Sequence, residues 1–163
     1  AIIDILQEAG AAIEKNPSDR SLHIAAGRGE YPLRAINVDM ENIPDCFPIL
    51  CIVGACANGV SRLYNAAHVR LKETDRVAVM HRELEKMGVE MQEEPTAAEI
   101  TGGTELAGAS FVTDSDHRIA MSMTVAALSA ASESVIQGAE VVRDSYPSFW
   151  EDMKKLGVKM RAK

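Results

Sequence analysis

Leu84-Glu85-Lys86-Met87-Gly88-Val89-Glu90-Met91 compresses the end of a helix, a glycine and the start of a strand into eight residues. Upstream, Val77, Met80, Leu84 and Met87 recur at i, i+3, i+7 and i+10, one apolar stripe of an amphipathic helix starting near Glu73. Gly88 suits the left-handed position just past a helix end. Downstream, residues 89–92 read as extended, and residues 96–101 can pair back with them as a hairpin before the turn at Gly102-Gly103. The same phrase occurs twice more, as Leu6-Gln7-Glu8-Ala9-Gly10-Ala11-Ala12-Ile13 and as Met153-Lys154-Lys155-Leu156-Gly157-Val158-Lys159-Met160. Its glycines are 78 and 69 residues apart, too far for a solenoid repeat and about right for a multi-element unit. The expected class is α/β (α+β): repeated helix–strand units, with helices packed on mixed sheets. Helix–glycine–strand is a common sequence, so an α/β domain without true repetition competes with this reading, and three copies weigh against it.

The segments between the copies fit the same class. The chain opens at Ala1 already inside an amphipathic helical pattern, which should end near Gly10 or Lys15 before the turn Asn16-Pro17-Ser18-Asp19. Residues 22–26 and 33–38 read as strands around the loop at 27–32. Pro44 opens a helix that runs to about Ala57 and closes at Asn58-Gly59. Residues 60–64 form a strand, and a short loop leads to a charged stretch. Residues 110–112 end a short strand, and a buried, Ala- and Met-rich helix runs from His117 to about Ala131. Residues 134–137 and 140–142 look extended. Residues 146–150 open a last helix that ends at Leu156-Gly157, with 158–161 as a final strand.

With 163 residues, 47% of them hydrophobic, the chain can bury a proper core as one domain. A net charge of −7 argues against a general nucleic-acid surface, though not against a local cationic pocket. No apolar run approaches the roughly 20 residues needed to cross a bilayer, and no signal-peptide pattern occurs, so a cytoplasmic protein without membrane contact is expected. Cys46, Cys51 and Cys56 are five apart, share no helix face and lack zinc-ligand pairing, so they read as reduced thiols. The four histidines are scattered, which makes a metal site unexpected.

Chemistry concentrates in three charged clusters at expected helix N-termini: Pro44-Asp45, Lys72-Glu73-Thr74-Asp75-Arg76 and Asp116-His117-Arg118. Free N–H groups at helix starts favour anions. Lys72, Arg76 and Arg118 add fixed positive charge, and arginine can clamp a phosphate or carboxylate through paired donors. Asp45, Glu73 and His117 could then move protons. The bland alternatives are an i,i+3 ion pair between Glu73 and Arg76, helix caps at Asp45 and Asp116, a structural hydrogen bond for His117, and surface roles for Arg28 and Arg34. No phosphate-loop or dinucleotide-binding glycine pattern is present. The chemistry that fits is a reaction on a small, multiply anionic substrate.

These clusters, with Ile43-Pro44-Asp45 upstream and Ser145-Tyr146-Pro147-Ser148-Phe149 downstream, closely resemble the C-terminal part of the 5-enolpyruvylshikimate-3-phosphate synthases, from about Ile2 to the end. Lys-Glu-Ser/Thr-Asp-Arg followed by Asp-His-Arg is specific to them and absent from the sister UDP-N-acetylglucosamine enolpyruvyl transferases. The resemblance implies βαβαββ units and transfer of the carboxyvinyl group of phosphoenolpyruvate to the 5-hydroxyl of shikimate 3-phosphate. That reaction of aromatic amino acid biosynthesis runs by addition and elimination through a tetrahedral intermediate, without metal or organic cofactor. By position, the resemblance makes Asp45 the acceptor of the 5-hydroxyl proton and Glu73 the partner of the phosphoenolpyruvate methylene carbon. Arg76 and Arg118 would hold carboxylate and phosphate, His117 would assist, and Lys72 would touch the shikimate part. His68 stands where some members have an Asn that contacts the shikimate phosphate. One position departs: Asp144 stands where the family usually has a phosphoenolpyruvate-binding Lys, and Arg143 could replace it only with a backbone shift.

Family members have two domains of three βαβαββ units each, with the active site between them. The resemblance therefore makes residues 1–163 a single partial domain carrying about half a site. A missing N-terminal domain would supply a Lys, an Arg and the serines that grip the substrate. The start inside a helix fits a piece of a longer chain or a divergent short gene product. Asp144 favours a non-catalytic module that binds anions or associates with a partner, and a transferase for another acceptor is the third reading. Asp45 together with Glu73 favours the synthase, since a binding module needs no such pair. A partial domain would leave apolar surface uncovered, so self-association or marginal stability is expected.

Overall fold

The computed structural model describes residues 1–25 and 33–161. Helix α1 (Ile2–Glu8) leads into a hairpin of β1 (Ile13–Asn16) and β2 (Ser21–Ile24), in which Ile13 faces Ile24. Next come β3 (Asn37–Asp39), a 3-10 turn (Pro44–Cys46), α2 (Phe47–Cys56), β4 (Gly59–Tyr64), a second 3-10 turn (Ala67–Leu71), α3 (Arg76–Glu85), β5 (Glu90–Glu93) and β6 (Ala98–Gly102). The described chain closes with β7 (Ser110–Val112), α4 (His117–Leu128), β8 (Val135–Gln137), a third 3-10 turn (Ala139–Asp144) and α5 (Phe149–Lys155).

The four-stranded sheet has the order β3-β4-β6-β5, with β3 and β4 parallel and the other two pairings antiparallel. Residues 37–102 thus form one βαβαββ unit. The segment α1-β1-β2 repeats its αββ end, and β7-α4-β8-α5 repeats its βαβα beginning, down to the parallel pairing of β7 with β8. The 3-10 turns after β4 and β8 are equivalent as well. Gly10, Gly88 and Gly157 occupy the same place, just past the second helix of a unit, with φ of 101°, 81° and 91°. That left-handed backbone is what the sequence phrase encodes.

Five expectations need correction. After Gly157, residues 158–161 form no strand: Val158 N bonds back to the Met153 carbonyl, Val158 and Met160 pack beside Val142 and Phe149, and no described strand runs alongside to pair with them. Residues 140–142 belong to the third 3-10 turn, which left-handed Gly138 (φ 74°) starts and buried Val142 pins against Ala120 and Phe149. Helix α3 begins at Arg76 rather than Glu73, since Asp75 takes the N-cap and its carboxylate accepts from Val77 N and Ala78 N. Residues 13–16, read as helix end and turn, are a strand. Of the strand expected at 33–38 only residues 37 and 38 are strand, within β3, and a bridge pairs Arg34 with Asn58. The expected loop at 27–32, Ala26 of the strand expected at 22–26, and Arg28 lie outside the described residues.

Helix α2 is the centre of the core. Phe47, Leu50, Cys51 and Ala55 are fully buried where α2 meets α3, α4, β4 and β6. Sheet and helix approach so closely at Gly102 that a Cβ there would lie 2.1 and 2.2 Å from the carbonyl oxygens of Gly54 and Ala57. No helix among the described residues is long and apolar enough to cross a membrane.

Helix α3 is also bolted to β7 by charge. Buried Glu83 accepts from Arg82 Nε (2.6 Å), Lys86 Nζ (2.7 Å) and the backbone N–H of Val112 (3.1 Å). Arg82 reaches on to Asp114 Oδ2 at 2.9 Å. Asp114 and Ser115 both have positive φ, 48° and 62°, a conformation that costs L-residues energy and needs outside support. Glu83→Ala should therefore cost about 3 kcal/mol, since it leaves the Val112 N–H without its acceptor and removes the charge-assisted hydrogen bonds from Arg82 and Lys86. That corresponds to a fall of roughly 6–12 °C in the thermal unfolding midpoint. A fall within 2 °C would show that the bolt carries no load.

Candidate functional site

Three helix starts converge on one ion cluster. Asp45 sits in the 3-10 turn ahead of α2, Arg76 is the first residue of α3, and Asp116 caps α4, where it accepts from Arg118 N (2.8 Å) and Ile119 N (3.4 Å). The side chain of Arg76 is wholly buried. Its Nε donates to Asp116 Oδ2 at 2.7 Å, Nη1 to Asp45 Oδ1 at 3.0 Å and Nη2 to Glu73 Oε2 at 2.5 Å. Asp116 is equally buried and takes a further bond from Thr74 Oγ1 at 3.3 Å.

Asp45 is the second junction. Besides Arg76 it holds Arg118 Nη2 at 3.1 Å on its other oxygen and Lys72 Nζ at 3.6 Å, while Arg118 Nη1 bonds the Asp45 carbonyl at 3.3 Å. Burial pushes the Asp45 carboxyl upward, but Arg76, Arg118 and Lys72 together outweigh it and hold the group below the ordinary aspartate value. Burial likewise pulls on the Arg76 guanidinium, and Asp116, Asp45 and Glu73 overcome it, so Arg76 stays charged.

The cluster is balanced, three cations against three carboxylates, but its members differ in access. Arg76 has spent nearly all its donors internally. The side chains of Arg118 and Lys72 are 36% and 32% exposed and keep N–H donors free for an incoming anion. Beside them a cleft of about 150 Å³ runs between α2 and α4, lined by Asp45, Ile49, Arg118, Met121, Ser122 and Val125. Chemically, the arrangement offers two accessible cations, Arg118 and Lys72, and two half-exposed carboxylates, Asp45 and Glu73, with Asp45 and Arg118 at the cleft itself.

Of the residues singled out in the sequence, Asp45, Lys72, Glu73, Arg76 and Arg118 are brought together. His117 opens α4 half-buried, with no side-chain hydrogen bond among the described residues. His68 lies in the second 3-10 turn, and its Nε2 is buried without a partner. Arg143 and Asp144 are exposed at the end of the third turn, and among the described residues neither pairs with the cluster. Sequence reasoning took Asp116 for a helix cap only. It is one, but it is also the buried counter-ion of Arg76. Arg76 lies four residues before apolar Met80, but Arg118 precedes Met121 in a similar way, so the letters alone did not single out the buried pair.

Against known proteins, the family described as EPSP synthase (3-phosphoshikimate 1-carboxyvinyltransferase) matches residues 1–153. The chain is 42% identical over 163 residues to the 3-phosphoshikimate 1-carboxyvinyltransferase of Methanocaldococcus jannaschii, covering 100% of this chain and 37% of that protein. It is 43% identical over 160 residues to the one of Methanosarcina acetivorans, covering 98% and 36%. The chain therefore spans little more than a third of the length of these relatives. Among solved structures, EPSP synthase from Acinetobacter baumannii superposes with a TM-score of 0.84 at 32% identity, over 94% of this chain and 38% of that one. The enolpyruvyl transferase NikO from Streptomyces tendae shares the fold, with a TM-score of 0.78 at 22% identity over 98% and 35%.

The depressed Asp45 carboxyl makes a pH prediction. The stability its cation contacts contribute is present above about pH 4, where the unfolded carboxyl is ionised, and is lost as the pH falls through the lower folded value. Asp45→Asn should lower the unfolding midpoint at pH 7, and the gap to the natural chain should close as the pH drops below about 4. A gap that stays constant from pH 7 to the acid limit would mean that Asp45 is not ion-paired in the folded chain.

Proposed function

The chain belongs to the EPSP synthase family, and on that premise we propose that it is the C-terminal portion of a two-domain enolpyruvyl transferase. Residues 1–163 form one partial domain carrying about half of the active site. The reaction is transfer of the carboxyvinyl group of phosphoenolpyruvate to the 5-hydroxyl of shikimate 3-phosphate, in the cytoplasm. The observation that carries this reading is the single junction where Asp45 meets Arg76, Arg118 and Lys72 from three separate elements.

In the addition step the 5-hydroxyl oxygen bonds to C2 of phosphoenolpyruvate, its proton goes to Asp45, and Glu73 delivers a proton to the methylene carbon. In the elimination step a methyl proton returns to Glu73, the C–O bond to phosphate breaks as the C=C bond forms, and the proton held by Asp45 leaves on the departing phosphate, which restores both carboxyl groups to their starting states. Arg118 holds the anionic groups of phosphoenolpyruvate, while Arg76, which the sequence grouped with it, is sealed behind Asp45 and Glu73 and keeps those carboxylates in place; Lys72 contacts the shikimate part, and His117 assists beside Arg118. By its place in the sequence, His68 is a candidate for the shikimate phosphate. The missing cations come from the rest of a longer protein, which we also place against the exposed apolar residues of α4, Val125 and Leu128. Alone, the chain is expected to self-associate through such surface.

Exposed Asp144, in place of the family's Lys, favours a second reading, a non-catalytic anion-binding module. Titration with phosphoenolpyruvate and then shikimate 3-phosphate, followed by calorimetry, separates the two from failure. Saturable binding that Arg118→Ala weakens at least about tenfold is expected, because a charge-assisted paired contact is lost. Phosphate release should appear once the remaining portion of a relative's chain is supplied. Binding without release would leave the binding module standing. A folded chain that binds neither compound and releases no phosphate would overturn both.

A further inference from the structure

We propose that Arg70 is a positioning residue for this site, clipping shut the base of the loop that presents Lys72 and Glu73. The proposal deepens the functional reading above and rests on it for the roles of those two side chains. Residues 72–74 lie between the second 3-10 turn and Asp75, the cap of α3, and no apolar residue anchors them, since Leu71 at the end of the turn is 84% exposed. Both ends of this short loop are tied by one guanidinium. Arg70 Nη1 donates to both carboxylate oxygens of Asp75, at 3.1 and 2.9 Å. Its Nη2 donates to Glu93 Oε2 at 3.1 Å and to the carbonyl of Glu94 at 2.8 Å, at the end of β5.

Asp75 is itself fixed, because its Oδ1 accepts from Val77 N and Ala78 N, each at 3.1 Å, as the cap of α3. The linkage thus runs from the β5–β6 hairpin through Arg70 to Asp75 and into the α3 backbone, and the loop spans it like a handle. Lys72 and Glu73 reach Asp45 and Arg76 from that handle. An isolated surface ion pair would be worth little. Here the Arg70 side chain is 22% exposed, makes four bonds and ends on a backbone carbonyl, a forked geometry that a lysine ammonium cannot reproduce.

The test compares the natural chain with Arg70→Ala and Arg70→Lys by amide relaxation of residues 72–74, phosphoenolpyruvate titration and thermal unfolding. Order parameters in the loop should fall from about 0.85 to below about 0.6 in both variants, while those of α4 stay unchanged. Affinity for phosphoenolpyruvate should drop at least about fivefold in Arg70→Lys, the variant that keeps the charge and protects folding. A loop that stays rigid in both variants overturns the proposal. So does a loosened loop with unchanged affinity, which would make Arg70 a stability residue only. If the natural chain binds no phosphoenolpyruvate, the functional reading is what fails, and the relaxation data alone still decide whether Arg70 clips the loop.

Discussion

A guanidinium removed entirely from water dictates much of this structure. Burying an unpaired charge is prohibitively unfavourable, so Arg76 must be met by carboxylates with good geometry. Asp116 answers from an equally dry position, and it can do so because it caps α4 and spends its other lone pairs on that helix's free N–H groups. Asp45 and Glu73 answer from the wetter side. The result ties the start of α3 to the starts of α2 and α4 more specifically than apolar packing could, since hydrophobic contact is non-directional and hydrogen-bonded charge is not. Glu83 repeats the device at the other end of α3. Helix α3 is held to the third unit at two points, and the strained turn at Asp114 and Ser115 lies between them.

The repeat was legible because it is written in backbone chemistry. A left-handed residue after a helix is needed wherever chain direction must reverse into a strand, and glycine meets that need at the lowest cost in three equivalent places. Helix α3 was legible from its apolar stripe, and α4 from an Ala- and Met-rich run that is apolar on most sides. What escaped was structure set by partners rather than by local pattern. The hairpin strand β1 has one buried residue in four, too little alternation to register. The third 3-10 turn reads as a β-rich segment, Val141-Val142, until packing against Ala120 and Phe149 decides otherwise. Residues 158–161 failed in the opposite sense, having strand character and no strand beside them among the described residues.

The site divides the same way. Residue types and their clustering at helix starts were enough to bring Asp45, Lys72, Glu73, Arg76 and Arg118 into one group, because helix N-termini gather charge for reasons visible in sequence. Which arginine would be buried was not visible. Arg76 and Arg118 look interchangeable as printed letters, yet one is sealed and the other open to the cleft. That difference depends on where α4 crosses α3, a tertiary fact. Asp116 and Arg70 were overlooked for a related reason: their partners are 40 residues away in one case and split between a cap and a hairpin in the other.

The balance of charge in the cluster bears on how the proposed chemistry could work. With its cations in place, the Asp45 carboxylate is a poor base, because every neighbouring positive charge favours the ionised form. An arriving phosphate or carboxylate competes for the free donors of Arg118 and Lys72. To the extent that it draws them away, Asp45 loses stabilising partners and its proton affinity rises. Arg76 cannot be drawn away in the same manner, since Asp116 and burial hold it. The two arginines therefore do different work: Arg76 keeps the carboxylates in place, and Arg118 couples the presence of an anion to the basicity of Asp45. Under the proposed chemistry the base would become effective when anionic substrates bind, and it is quenched by its own neighbours in their absence.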